Sequence, residues 1–250
     1  MSFYGPIQHR DRVDIQADEA FRYLADVNST RHYIYIHHPG YDEKTDLLFT
    51  IYAPDHISGG LHFSLLMDAC AIIADNRNDG WLATDRRGLN RVKPQPENVL
   101  ASGHYWHHLP RKGRRSANWP VVTCFEDWKF PSSLPSLWTR GLQPEHDAHS
   151  VAPVTSADAV RTRDEVCRIT AHYTGTQIAH IIPRAESGWF LRNEMFCWND
   201  NYRRQDESLL EDQGNLMLLR SDVHAAFDNQ IFVFYPKDSA GFYVHMMEPS

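Results

Sequence analysis

Alternating and aromatic-rich runs open the readable part of the chain. Arg31 to His38 (RHYIYIHH) and Asp46 to Tyr52 (DLLFTIY) concentrate aromatic and β-branched residues, and the PGYDEKT between them carries Pro39 and Gly40. Two such runs around a turn predict a β-hairpin. Leu61 to Ala74 (LHFSLLMDACAIIA) is apolar at near-helical spacing after the Gly59-Gly60 break, which predicts a buried helix. Val121 to Phe130 (VVTCFEDWKF) predicts a strand that stops before Pro131. Leu142 to Asp158 is polar, contains Pro144 and Pro153, and reads as a linker. Beyond it, Gln177 to Ile182 is a short apolar strand closed by Pro183, and Gly188 to Trp198 is a helix or a long aromatic loop. Leu216 to Leu219 is a short apolar run, and Ser221 is expected to cap a helix carrying Asp222 to Asp228. Ile231 to Tyr235 and Phe242 to Met247 read as strands about a turn at Gly241. The expected class is α+β in two parts: an α+β region over residues 1–150, and a smaller unit over residues 151–250 packed against it.

Composition narrows the class. In 250 residues, 42% hydrophobic and 23% charged positions describe an ordinary globular chain. Mean hydropathy is −0.51, and no apolar run approaches the roughly 18 residues of a membrane span, so no membrane partner is expected. The opening MSFYGPIQHRDRVD places charges where a secretory signal needs an apolar stretch. Cys70, Cys124, Cys167 and Cys197 are widely spaced with no CxxC, which argues against a disulfide scaffold and against a zinc knuckle. A reducing compartment, cytoplasm or nucleus, is the expectation. Oligomeric state is not legible in these features.

Charge complicates the search for a partner. Residues 1–150 hold 16 basic and 18 acidic side chains, and residues 151–250 hold 9 and 14, for −7 overall. Nucleic-acid binders draw much of their affinity from phosphate contacts and counterion release, and this chain shows no strongly basic half. Its one basic run is RKGRR, Arg111 to Arg115, which reads as a phosphate contact, a nuclear address or a solvated loop. Histidine is abundant at 15. His104, His107 and His108 in HYWHH read first as a packed aromatic strand, with a second metal site as the alternative.

The chemistry concentrates between Cys167 and Pro236. His224 and Asp228 lie four apart on the expected helix, so an imidazole and a carboxylate share one face and can grip one cation. Asn215 follows Gly214 in a turn before a strand, where an Asn pins a loop. His180 ends an apolar strand beside a proline stop, a place from which an imidazole can take a proton from water. Arg184 could clamp a phosphate, Trp189 could stack on substrate, and Arg220 precedes the helix. Taken singly, a strand histidine is usually core and an i,i+4 His/Asp pair is usually surface. The ordered set is what carries information.

That set, with its CxxT start at Cys167, its AHIIP strand and its NLxLLRxDxHxxFD tail from Asn215 to Asp228, resembles the HNH endonuclease family with the ββα-metal fold. Within it the sequence most resembles a branch common among fungal hypothetical proteins. The resemblance spans about 70 residues. It implies a C-terminal ββα-metal unit that hydrolyses nucleic-acid phosphodiesters with a divalent metal, Mg²⁺, Mn²⁺ or Zn²⁺. His180 would be the general base, Asn215 would hold the loop that orients it, and His224 and Asp228 would bind the metal. Arg184, Trp189 and Arg220 would meet the substrate. Where many relatives have an acid or histidine before the catalytic histidine, this chain has Ala179, so Asp222 or the substrate would have to help hold the metal. Residues 1–150 would shape the substrate. The alternative is an HNH-like fold reused, without metal, as a small-molecule cyclase or isomerase of fungal specialised metabolism, to which the aromatic content and negative charge point.

Overall fold

The computed structural model describes residues 32–93, 98–110, 119–139, 156–198, 209–238 and 241–247. They divide into two compact units at residue 131. The RKGRR run, the N-terminal stretch and most of the expected linker lie outside the described residues.

The first unit contains β1 (Tyr33–His37), β2 (Leu47–Tyr52), β3 (Gly60–His62), α1 (Phe63–Ile73), β4 (Trp81–Ala83), β5 (Val99–Ala101) and β6 (Gly103–His108). The expected hairpin is present: β1 and β2 pair antiparallel, with Tyr33 opposite Tyr52. β6 joins β1 in parallel and β4 closes the other side, giving the order β2-β1-β6-β4. Alternation decides the faces. Ile34 and Ile36 are fully buried, whereas Tyr33, Tyr35 and His37 are half-buried. The histidine-rich run is indeed a strand. His37 joins His104 at 2.9 Å and Asp46 at 3.0 Å, and Arg86 donates to Asp46 at 2.6 Å. Tyr35 stacks on His104, and His107 is wholly buried.

Two expectations need correction here. The helix begins at Phe63 rather than Leu61, because Gly60, Leu61 and His62 are used first in pairing with β5. Val121 to Phe130 is not a strand. It passes through a single 3₁₀ turn, Phe125–Asp127, and is tied to the end of α1 instead of to a sheet. Val122 N–H donates to the Ile73 carbonyl, the Asn76 amide donates to the Lys129 carbonyl, and the Trp128 indole donates to Asn76 Oδ1. The β-forming composition there serves to cover a helix end.

The second unit contains α2 (Ser136–Thr139), α3 (Ser156–Asp164), β7 (Thr176–His180), α4 (Ser187–Arg192), β8 (Leu216–Arg220), α5 (Ser221–Asp228), β9 (Phe232–Asp238) and β10 (Gly241–Met246). β7 and β8 pair antiparallel, Thr176 opposite Arg220 and His180 opposite Leu216, and α5 follows β8 without a break. β9 and β10 form a separate ribbon. Ser221 is not the cap but the first helical residue. Its N–H is taken by the Gly175 carbonyl, Arg220 stands at the cap position, and the Asp222 carboxylate accepts the Val223 N–H.

α3 holds this hairpin from one side. Val160 packs with Leu216 and Leu218. Asp164, almost fully buried, receives Arg163 at 2.6 and 2.9 Å and accepts the Leu218 N–H at 2.8 Å. Arg163 also donates to the Gln213 and Leu216 carbonyls. No helix among the described residues is long and apolar enough to cross a membrane.

Candidate active site

The site grows from the two faces of β7. Ile178 joins the α3 side with Leu216 and Leu218, and Ala179 joins the opposite cluster of Cys167 and Leu219, against which Val223 and Phe227 of α5 pack. By strand alternation His180 follows Ile178, and Gln177 follows Ala179.

At the end of β7 the backbone is fixed by Asn215, which is 5% exposed. Its Oδ1 accepts the Ile182 N–H at 2.8 Å, and its Nδ2 donates to the carbonyls of Ile182 and Leu210, each at 3.0 Å. The Asn215 carbonyl accepts the Ile181 N–H, and Asp212 holds the turn by accepting from Gly214 N. One buried amide thus ties the residues after His180 to the 3₁₀ turn Leu209–Glu211. That tie matters because Glu211 meets His180. Its Oε1 lies 3.1 Å from His180 Nε2 and accepts from Arg184 Nε at 2.6 Å. The Arg184 guanidinium first, and His180 after it, hold the Glu211 carboxyl below the usual glutamate range against the opposing effect of burial. The His180 side chain is 20% exposed, so water reaches it.

On the other face, His224 Nδ1 meets Gln177 Oε1 at 3.0 Å. A hydrogen on Nδ1 leaves the Nε2 lone pair free, and Nε2 lies 3.4 Å from Asp228 Oδ2. Two donors bound about 2.1 Å from one cation sit roughly 3 Å apart, so this pair is close to the spacing of a shared ligand shell. It is a two-donor seat. Ala179 contributes no ligand, and no group of three or more His, Cys, Asp or Glu able to hold a metal occurs among the described residues. Two protein donors suit a hard cation that keeps its waters and completes its shell on substrate oxygens.

The remaining expected residues are placed as follows. Arg184 is 69% exposed. Arg220 is engaged with Asp222 through two contacts, 2.6 and 2.7 Å, and these draw the Asp222 carboxyl down to about 2. Asp222 therefore faces a guanidinium and is committed away from the His224 and Asp228 seat. Trp189 is 3% exposed, so its ring is buried and not presented to a substrate. Cys167 is a buried free thiol in the cluster under α5. Sequence reasoning missed Glu211 and Gln177. Gln177 sits three residues before His180 in the same strand and was within reach of a register argument. Glu211 is 31 residues away and carried no local signal.

Residues 165–235 match the family described as HNH endonuclease. An HNH endonuclease domain therefore occupies the C-terminal part of this mixed α+β chain, after an N-terminal α+β region. The family typically uses a divalent metal. Comparison with curated proteins and with solved structures gave no match.

Proposed function

We propose that the HNH endonuclease domain at residues 165–235 hydrolyses nucleic-acid phosphodiesters with the help of a divalent cation. The observation that supports this most is the pairing of His224 Nε2 with Asp228 Oδ2 at 3.4 Å within the matched domain. His180 leaves β7 on the opposite face from this pair, so in this reading the phosphodiester must reach both faces of the β7-β8 hairpin. His180 is the general base in this reading. It removes a proton from the attacking water, whose oxygen forms the new bond to phosphorus. The bond to the leaving oxygen then breaks, and that oxygen takes a proton from solvent. A divalent cation held by His224 and Asp228 would supply positive charge for the phosphoryl and leaving oxygens. Asn215 is a positioning residue, because it fixes Ile182 and Leu210 on either side of the His180 and Glu211 contact. Arg184 has donors left over from Glu211 for a phosphate oxygen. We extend the reading to residues 1–150 as the region that shapes the substrate.

The test is cleavage of plasmid and RNA by the purified chain with Mg²⁺, Mn²⁺ and Zn²⁺, followed by two variants. His180→Ala should retain metal binding and lose roughly 10²–10⁴ in rate, the usual worth of a positioned acid–base group. His224→Ala should lose the metal in a calorimetric titration and lose cleavage with it. Cleavage should fall steeply with salt, since phosphate neutralisation drives binding. No cleavage of any nucleic acid with any of these cations, by folded protein, would refute the reading. A chelator-insensitive conversion of a small molecule would replace it with the cyclase or isomerase alternative.

A further inference from the structure

We infer that Glu211 is a positioning residue that fixes His180 in the Nε2–H tautomer, leaving Nδ1 as the nitrogen that takes the proton from water. The inference rests on the reading of His180 as general base, and it names the working atom. Three observations carry it. First, Glu211 Oε1 is 3.1 Å from Nε2 and is shared with the Arg184 guanidinium at 2.6 Å. A carboxylate bonded to a guanidinium is an acceptor only, so the hydrogen in the contact to His180 must come from the imidazole. Second, His180 Nδ1 has no hydrogen-bond partner among the described residues, while the side chain stays 20% exposed. Its lone pair therefore faces no competing donor from those residues. Third, Glu211 is not held by chance. Leu210, its neighbour in the chain, is bonded to the same Asn215 amide that holds Ile182 beyond His180. Base and carboxylate are thus referenced to one buried side chain.

The chemistry follows. When Nδ1 accepts the proton, the ring becomes an imidazolium whose Nε2–H already points at a carboxylate. The developing positive charge then meets an existing negative one, with no rearrangement at the moment of reaction. The charged groups bearing on His180 among the described contacts are Glu211 directly and Arg184 through it. Loss of the carboxylate should free the ring to take either tautomer.

Two readouts on the full chain test this. In ¹⁵N-labelled protein at a pH where the ring is neutral, long-range ¹H–¹⁵N correlations of His180, assigned by their loss in His180→Ala, should show hydrogen on Nε2. In Glu211→Ala they should show a mixture. In cleavage assays Glu211→Ala should lower kcat by about 10–100-fold, the scale seen when partners that orient a ligating or reacting histidine are removed, with little change in KM. Glu211→Gln, which keeps an acceptor without the charge, should keep the Nε2–H form and recover part of the rate. Should Glu211→Ala unfold, Glu211→Met, which fills the same space without an acceptor, supplies the same tautomer readout. Hydrogen on Nδ1 in the wild-type protein, or a tautomer unchanged in Glu211→Ala, would overturn the proposal. If the wild-type chain cleaves nothing, the nuclease reading fails, while the spectra still decide whether Glu211 sets the tautomer.

Discussion

His107 should make the N-terminal unit acid-labile in a way that one substitution removes. The residue is wholly buried on β6, neither ring nitrogen has a hydrogen-bond partner among the described residues, and Trp119 packs edge-on against the ring at 5.3 Å. Burial first, and the nearby His108 and His38 after it, lower its pKa from 6.5 to about 4. The unfolded chain therefore binds a proton between those values while the folded chain does not, so stability is complete above about pH 6.5 and is lost as pH falls toward about 4. A gap of about 2.5 pH units at about 1.4 kcal/mol each amounts to ~3 kcal/mol, a sizeable share of the ~5–15 kcal/mol that holds a typical domain together. The experiment is urea unfolding followed by tryptophan emission at a series of pH values, for wild type and His107→Leu. His38 is also buried with a lowered pKa, so the difference between the two proteins is the informative quantity. That difference should shift by about 3 kcal/mol between about pH 7 and pH 4 in favour of the leucine variant. At neutral pH the variant should be no less stable, since it removes two unpaired buried nitrogens at similar volume. Curves that stay parallel across this range would refute the reasoning.

Two further outcomes test the scaffold. Asp164→Ala should destabilise the C-terminal unit by about 1–3 kcal/mol, because it leaves the Leu218 N–H without its acceptor and takes the carboxylate from the part-buried Arg163; thermal unfolding measures it. Gly80→Ala should destabilise the N-terminal unit, because the new methyl would press on His107 Nε2, Leu109 and the His108 carbonyl, and pairing it with His107→Ala should recover part of the loss in the same assay.

The parts of this chain that were legible are those whose partners lie close in sequence. The hairpin β1 and β2, the strand before Pro183, the run Leu216 to Arg220 and the helix after it each announce themselves by periodicity within ten residues. The His224 and Asp228 pair belongs to the same class, since helix geometry alone puts them on one face. What was not legible depends on distant contacts. Arg163 and Asp164 look like surface charges beside a polar stretch, yet Asp164 is buried and accepts a backbone N–H 54 residues on. Val121 to Phe130 has strand composition but is recruited by the carbonyl of Ile73 and the side chain of Asn76. Ser221 had the right residue type for a cap, but the helix starts one residue sooner, with Arg220 at the cap position and Ser221 as the first helical residue.

The same distinction explains how the candidate site is built. The motif supplies the groups that would meet water and a cation, but each imidazole is ambiguous until something fixes which nitrogen carries hydrogen. His224 meets Gln177 through Nδ1, and His180 meets Glu211 through Nε2. If both imidazoles donate, the two rings present opposite nitrogens, one suited to a cation and one to a proton. Neither partner belongs to the His, Asn, His, Asp set. Gln177 acts from the strand that carries His180, and Glu211 acts from a turn held by Asn215. A chain could therefore keep all four motif residues and still lose the arrangement by changing either partner. The buried Asn215 amide is a point through which such a loss would be felt at His180, because it bonds both the segment after the histidine and the segment carrying the glutamate.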